Sequence, residues 1–235
     1  ADYIQMTRGY ALQFGVSSQR VADGYAIPGG QTYRSCGVAE VEGDWSNAAF
    51  WLCAGAMPGG DVRCSGLQGN AMQGDRAVME YLAGAGLREL DGTYGVCEGQ
   101  RRCFDVDAAN IPDLVPILAA LGAVSEGTTI IRNASRLRLK ESDRLHAVTV
   151  TLNALGAQVT EVEDGLVIDG VSRLKGGVVD SFGDHRIAMM AAIASAACTD
   201  AVVIHNAQAV RKSYPNFWRD LDCLGKHLLE EGLDE

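Results

Sequence analysis

Ala109-Asn110-Ile111-Pro112-Asp113, the apolar run Leu114 to Val124, Gly127, and Thr128-Thr129-Ile130-Ile131 form the stretch on which the fold turns. It reads as a helix that is apolar on nearly every side, followed by a short strand. Such a helix is buried, not laid on a surface. The polar turn Glu141-Ser142-Asp143-Arg144 then opens a second helix. That helix ends at Leu155-Gly156-Ala157, where glycine supplies a C-terminal cap. Gln158 to Val162 and Leu166-Val167-Ile168 flank Asp164-Gly165, a strong hairpin signal. The stretch is one unit of strand, helix, strand, helix and strand pair.

The unit recurs on both sides. Upstream, Val41-Glu42-Gly43-Asp44 leads to apolar Ala48 to Met57, Gly59-Gly60 and Asp61-Val62-Arg63-Cys64, then Met72-Gln73-Gly74-Asp75-Arg76 opens a helix ending at Gly86. Downstream, Ser181-Phe182-Gly183-Asp184 leads to Ile187 to Cys198 and Ala201-Val202-Val203-Ile204, then Ser213-Tyr214-Pro215-Asn216-Phe217 opens a helix ending at Leu224-Gly225. Asp44, Asp113 and Asp184 are 69 and 71 residues apart (113 − 44 and 184 − 113). A fixed period means a structural repeat. The expected architecture is α/β, three βαβαββ units over residues 41–228, with the buried helices packed inside sheets around one core. The last unit lacks an obvious strand pair. Residues 1–40 read as the tail end of an earlier unit. A helix runs from Tyr3 to Phe14, closed by Gly15, and Tyr25-Ala26-Ile27 and Gln31-Thr32-Tyr33 form the closing strand pair. Residues 229–235 read as a frayed acidic tail.

Composition excludes several classes. The 235 residues are 47% hydrophobic and 21% charged, values of a globular chain. A net charge of −10 disfavours general nucleic-acid binding. The apolar runs are too short to cross a bilayer. Seven cysteines without a CxxC pair point to reduced thiols and a cytoplasmic protein. Four scattered histidines without HExxH give no metal site. The chain opens at Ala1 with neither Met nor signal-peptide pattern, so a longer parent protein is expected.

The chemistry concentrates in a basic cluster. Arg132, Arg136, Arg138, Lys140 and Arg144 lie close together, with Arg186, Arg211 and Lys212 at equivalent turns. A charge run is commonly a solvated face. Here Arg138 and Lys140 are expected on one side of an extended segment, and cations recur at helix entrances, where they oppose the dipole. That placement points to a bound anion. Asp113, Glu141 and Asp184 stand nearby for proton exchange. Asp44 and Asp184 also suit plain helix capping. Walker A, GxGxxG and GxSxG patterns are absent.

Arg138-Leu139-Lys140-Glu141-Ser142-Asp143-Arg144 and Gly183-Asp184-His185-Arg186-Ile187-Ala188-Met189 resemble the two signature segments of the 5-enolpyruvylshikimate-3-phosphate (EPSP) synthase family. Val41 to Asp44, Met72 to Asp75, Ile111 to Asp113, Asp164 to Leu166 and Lys212 to Pro215 extend the similarity over nearly the whole chain, but over only the C-terminal half or so of the family's length. The resemblance implies two domains of three βαβαββ units. It also implies transfer of the enolpyruvyl group of phosphoenolpyruvate to the 5-hydroxyl of shikimate 3-phosphate, by addition and elimination, without metal or organic cofactor. The family serves aromatic amino-acid synthesis and is the glyphosate target. The implied partner of this chain is an N-terminal domain, without which it is expected to be inactive.

By that resemblance Asp113 contacts the shikimate hydroxyls and is a candidate base. Glu141 protonates the phosphoenolpyruvate methylene, and Lys140 and Tyr3 reach the shikimate phosphate. Arg144 and Arg186 clamp the phosphoenolpyruvate carboxylate and are expected to converge. Lys212 stands near the departing phosphate, and Asp44, Asp184 and His185 line the pocket. Arg136 departs from the family, some members of which have a substrate-contacting Asn there. Ser17-Ser18-Gln19 matches a substrate-binding run by chance, and Trp45, Trp51 and Trp218 read as core. The alternatives are an enzyme like UDP-N-acetylglucosamine enolpyruvyl transferase, and a non-catalytic anion-binding remnant.

Overall fold

The computed structural model describes residues 2–97 and 99–224. The expected end of the third unit at 228 and the tail 229–235 lie outside the described residues, as does Gly225.

The three apolar runs form helices α2 (Trp45–Ala56), α4 (Val115–Ala123) and α6 (His185–Ala194). Every residue of α4 and α6 is buried, and the three helices pack on one another at the centre of the molecule. Burying each large aliphatic side chain there contributes about 1.5–3 kcal/mol. Gly55 lets α2 sit directly on its sheet, since a Cβ there would lie 2.4 Å from the Val96 carbonyl oxygen.

Each central helix is backed by strands. The middle unit is complete: β6 (Asp105–Asp107), α4, β7 (Thr128–Arg132), α5 (Arg144–Ala154), β8 (Gln158–Val162) and β9 (Gly165–Asp169). Its sheet has the order β6-β7-β9-β8, with β6 parallel to β7 and β9 antiparallel to both neighbours. The first unit has β3 (Asp61–Cys64), α3 (Val78–Leu82), β4 (Leu87–Leu90) and β5 (Thr93–Cys97), in the antiparallel order β3-β5-β4. The third pairs β10 (Gly177–Asp180) with β11 (Val202–His205) in parallel and adds α7 (Phe217–Cys223).

Two expectations are corrected. No strand opens the first unit, because residues 27–44 are irregular, with Gly43 reaching the Gly66 carbonyl at 3.0 Å. This stretch is largely exposed and carries Pro28, Gly29, Gly30 and Gly37, so it lacks the apolar face that would dock a strand. The N-terminal strand pair is β1 (Gln19–Val21) with β2 (Gly24–Ala26), not residues 25–27 with 31–33. Its Val21↔Gly24 closure reproduces Val162↔Gly165 in the middle unit. Gln31 instead clasps the backbone of Ser17. The preceding helix α1 (Asp2–Gln13) ends at Gly15 with φ 83°, as expected.

In every unit the strand after the central helix ends in a left-handed step. Gly66, Asn133 and Asn206 have φ of 79°, 56° and 57° and follow β3, β7 and β11 within two residues. Glycine and asparagine are the residues that visit this region readily. In the second and third units the step leads into 3-10 turns, Ser135–Leu139 and Ala207–Lys212, which carry the basic residues.

Candidate active site

Arg144, the first residue of α5, is 1% exposed. Its guanidinium donates from Nε to Asp184 Oδ2 at 2.7 Å, from Nη1 to Asp113 Oδ1 at 2.7 Å and from Nη2 to Glu141 Oε2 at 2.6 Å. These are short charge-assisted bonds, and a buried arginine needs such partners. Further cations approach the same carboxylates from outside. Lys140 Nζ lies 3.3 Å from Asp113 Oδ1, and Lys212 Nζ donates to Glu141 Oε1 at 2.5 Å. Arg186 Nη2 reaches Asp113 Oδ2 at 3.3 Å. Arg144 and Arg186 therefore meet on Asp113 although 42 residues separate them (186 − 144).

The two arginines differ in free capacity. Arg144 uses three nitrogens in short bonds. Arg186 makes only long contacts, 3.3 Å to the Asp113 side chain and 3.3 Å to its carbonyl. Its planar fork retains donors that these long contacts do not use.

The charges around the carboxylates set their pKa values. Burial works to raise Asp113, but Arg186, Lys140 and Arg144 outweigh it and hold the carboxyl below its usual range. Burial also opposes ionisation of Glu141, but the Lys212 hydrogen bond, its own backbone N–H and Arg144 lower it to about 2. His185, the first residue of α6, is lowered by burial and by Arg186, and its Nδ1 is buried without a partner. Tyr3, on α1, is pushed up to about 12 by burial and then by Asp75, Asp113 and Asp44, against Arg186.

The three repeat aspartates have diverged. Asp44 caps α2, accepting from the backbone N–H groups of Ser46 and Asn47 at 2.8 and 3.2 Å. Asp184 caps α6 through the Arg186 N–H at 2.9 Å and also binds Arg144. It sits behind Phe182 and Gly183, both at positive φ (55° and 68°). Asp113 caps nothing. It lies inside the 3-10 turn Pro112–Leu114, and its carboxylate is free for Arg144, Arg186 and Lys140.

Three members of the basic cluster lie elsewhere, the first of them Arg132, which pairs with Asp105 on β6 at 3.0 Å. Arg136 is exposed on the turn Ser135–Leu139, outside this network. The segment bearing Arg138 is a 3-10 turn rather than extended, so Arg138 and Lys140 do not share a side. Arg138 faces Glu161 and Asp143. Of the other sequence matches, Ser18 Oγ accepts from Arg8 at 2.8 Å, a structural bond between α1 and β1. Trp45 is fully buried, and Trp51 stacks on Phe217 at 5.1 Å.

Two residues beside the network were not singled out from the sequence. Ser142 Oγ donates to Asp184 Oδ2 at 3.2 Å. Asp75 is 1% exposed, accepts a hydrogen bond from Ser46 Oγ, and has an Oδ1 without partner. Burial raises its pKa. The signal was available, since Asp75-Arg76 occupies the position of Asp143-Arg144 in the repeat. Among the described residues no three His, Cys, Asp or Glu side chains are grouped to hold a metal ion, and no helix is long and apolar enough to cross a membrane.

The site is thus a carboxylate–guanidinium centre with Lys140, Arg186 and Lys212 around it. The sequence model described as EPSP synthase (3-phosphoshikimate 1-carboxyvinyltransferase) matches residues 2–221. The chain belongs to the EPSP synthase family. Among relatives, the chain is 43% identical over 234 residues to the 3-phosphoshikimate 1-carboxyvinyltransferase of Clostridium acetobutylicum, covering 99% of this chain and 54% of that protein. It is 45% identical over 235 residues to that of Clostridium kluyveri, covering 97% and 54%. A solved EPSP synthase from Acinetobacter baumannii superposes with a TM-score of 0.76 at 25% identity, covering 91% of this chain and 52% of that one. The chain thus spans about half the length of the curated relatives it matches. The enolpyruvyl transferase fold is the one the resemblance implied, and its buried helices inside sheets agree with the repeat.

Proposed function

We propose that this chain supplies one wall of an EPSP synthase active site, acting on phosphoenolpyruvate and shikimate 3-phosphate in the cytoplasm. The supporting observation is the joint attachment of Asp113 and Glu141 to Arg144, with Lys140, Arg186 and Lys212 around them.

Each group has a task in that reading. Lys140 and Tyr3 hold the phosphate of shikimate 3-phosphate, and Asp113 orients its hydroxyls. Arg186 receives the phosphoenolpyruvate carboxylate on its free donors, backed by Arg144. Asp113 takes the proton of the 5-hydroxyl as the oxygen bonds to C2 of phosphoenolpyruvate, and a proton is delivered to C3 from Glu141. The tetrahedral adduct then returns a C3 proton to the Glu141 carboxylate as the C2–C3 double bond re-forms and the C2–O bond to phosphate breaks, with the phosphate leaving toward Lys212. Asp44, Asp184 and His185 shape the floor. Glu141 is a carboxylate while Lys212 and Arg144 both bind it, so a substrate anion must first draw Lys212 away, which lets Glu141 take up the proton from water that it then delivers.

One wall alone leaves the anions in water, where each charge pair is worth about 1 kcal/mol instead of several. It also forgoes the positioning that can supply roughly 7 kcal/mol or more of a barrier. Calorimetric titration of the chain with shikimate 3-phosphate should show weak binding, and phosphate release should be undetectable. Release should appear when the complementary half of a clostridial relative is added, and Glu141→Gln should cut it on the order of 10²-fold or more. Binding of UDP-N-acetylglucosamine instead of shikimate 3-phosphate would favour the sister activity. Binding without turnover in the complemented protein would favour an anion-binding remnant.

A further inference from the structure

Arg138 joins three pieces of structure with one side chain. Its Nη1 donates to Glu161 Oε1 on β8 at 2.5 Å and to the Asp143 carboxylate at 3.0 and 3.3 Å. Its Nη2 donates to the carbonyls of Val162 and Glu163, in the β8–β9 turn, at 3.0 and 3.2 Å. Asp143 caps α5 through the His146 N–H at 3.2 Å, and the next residue is Arg144. The opposite end of the same loop is pinned to the same turn. Asp164 Oδ1 accepts from the Ser135 N–H at 2.7 Å, and the Asp164 carbonyl accepts from the Ala134 N–H at 3.1 Å. The turn itself lies directly on β7, since a Cβ at Gly165 would fall 1.9 Å from the Ile131 carbonyl oxygen.

Lys140 and Glu141 hang between these anchors. Lys140 pairs with Asp113 and Glu141 with Lys212, both from other parts of the fold, while Arg144 at the start of α5 holds the second Glu141 oxygen, so the pairings to Asp113 and Lys212 depend on where the loop is held. We propose that Arg138 is a positioning residue, which fixes the Lys140–Arg144 segment against the β8–β9 turn so that Glu141 meets Lys212 and Lys140 meets Asp113. This rests on the reading of that segment as part of the catalytic wall. A direct anion-binding role does not fit, because Asp143 and Glu161 already surround the guanidinium and would repel an anion. A general stabilising role fits poorly too, because its polar partners all lie at the hairpin and at the entry to α5, none in the central helices.

The test uses Arg138→Gln and Arg138→Lys, with two readouts that need no substrate. The first is the carboxyl ¹³C titration of Glu141 by NMR. The second is the Arg144 Nε–H signal, which reports the 2.7 Å bond to Asp184. In Arg138→Gln the Glu141 midpoint should move up toward an ordinary carboxylate and the Arg144 signal should shift, with Arg138→Lys intermediate. In the complemented enzyme, well below the melting temperature, kcat/KM should fall about tenfold for Arg138→Gln and recover in part for Arg138→Lys. A lowered melting temperature with unchanged Glu141 titration, Arg144 signal and kinetics would overturn the proposal and leave Arg138 as scaffold. Should Arg138→Gln fail to fold, Glu161→Gln removes one anchor from outside the loop and is read in the same way. If the parent fails to bind shikimate 3-phosphate, the functional reading falls, while the Glu141 titration still decides the role of Arg138.

Discussion

Asp75-Arg76 in the first unit and Asp143-Arg144 in the second occupy the same place in the repeat, yet they bury opposite charges. In the first pair Asp75 is buried and Arg76 turns out to the Gly69 carbonyl at 2.6 Å. In the second Arg144 is buried and Asp143 stays at the surface as a helix cap. The dipeptide therefore does not fix which charge goes inside. The surroundings do. Around Arg144 stand Asp113, Glu141 and Asp184, so a cation belongs there. At Asp75 burial disfavours the anion and Asp113 and Asp44 add to that, while only the Ser46 hydroxyl and Arg186 support it, and one of its oxygens stays without a partner.

If that contrast is right, substitutions at the two sites should differ sharply. Arg144→Gln leaves Asp184 buried and short of its cation, and should cost about 3–5 kcal/mol of folding stability, measured by urea denaturation. A cost below about 1 kcal/mol would mean the centre can rearrange around the loss. The next effect is in the acid limb. The Glu141 pKa is lowered to about 2 in the folded chain. Its stabilisation is therefore fully present above the unfolded value, about 4.3, and is lost as pH falls toward the folded one. Glu141→Gln should flatten the stability-against-pH curve over that window, and an unaltered curve would deny the tight pairing with Lys212 and Arg144. The smallest effect is expected at Asp75. Its folded pKa is raised, so its ionised form costs stability as pH rises through that value. Asp75→Asn should stay within about 1 kcal/mol of the parent at neutral pH, because the amide needs less solvation than the carboxylate it replaces. A loss as large as that of Arg144→Gln would erase the contrast.

The central helices were legible because α4 and α6 carry apolar residues on all sides, and the β8–β9 hairpin because Asp164-Gly165 lies between β-branched flanks. The β1–β2 hairpin, with the same closure at Asp23-Gly24, was missed because Gln19-Arg20 and Tyr25-Ala26 are exposed or half-buried and show no alternation. The turn Ser135–Leu139 was read as extended, since a 3-10 turn this short leaves no period to detect. Glu141 and Arg186 came from the two signature segments, and Asp113 and Lys212 from the shorter matching stretches Ile111 to Asp113 and Lys212 to Pro215. The complete burial of Arg144 did not, because charged residues are almost never fully buried unless paired, and a sequence does not display the pairing. Nor was the turning away of Arg138 visible, for its partners Val162 and Glu163 act through main-chain carbonyls that any residue possesses.

The mutual attachment of these side chains also sets the field that the wall projects into solvent. Lys140, Arg144, Arg186 and Lys212 carry four positive charges against the three negative ones of Asp113, Glu141 and Asp184, a surplus of one (4 − 3). The rest of the chain is strongly acidic, at −10 in all. Viewed from beyond a Debye length of about 8–10 Å, the cations are largely cancelled by their own partners and by that background. An approaching anion is therefore not steered in from a distance. On the proposed reading it reaches this face by diffusion and wins its contacts at short range, so its rate of arrival should respond only weakly to added salt.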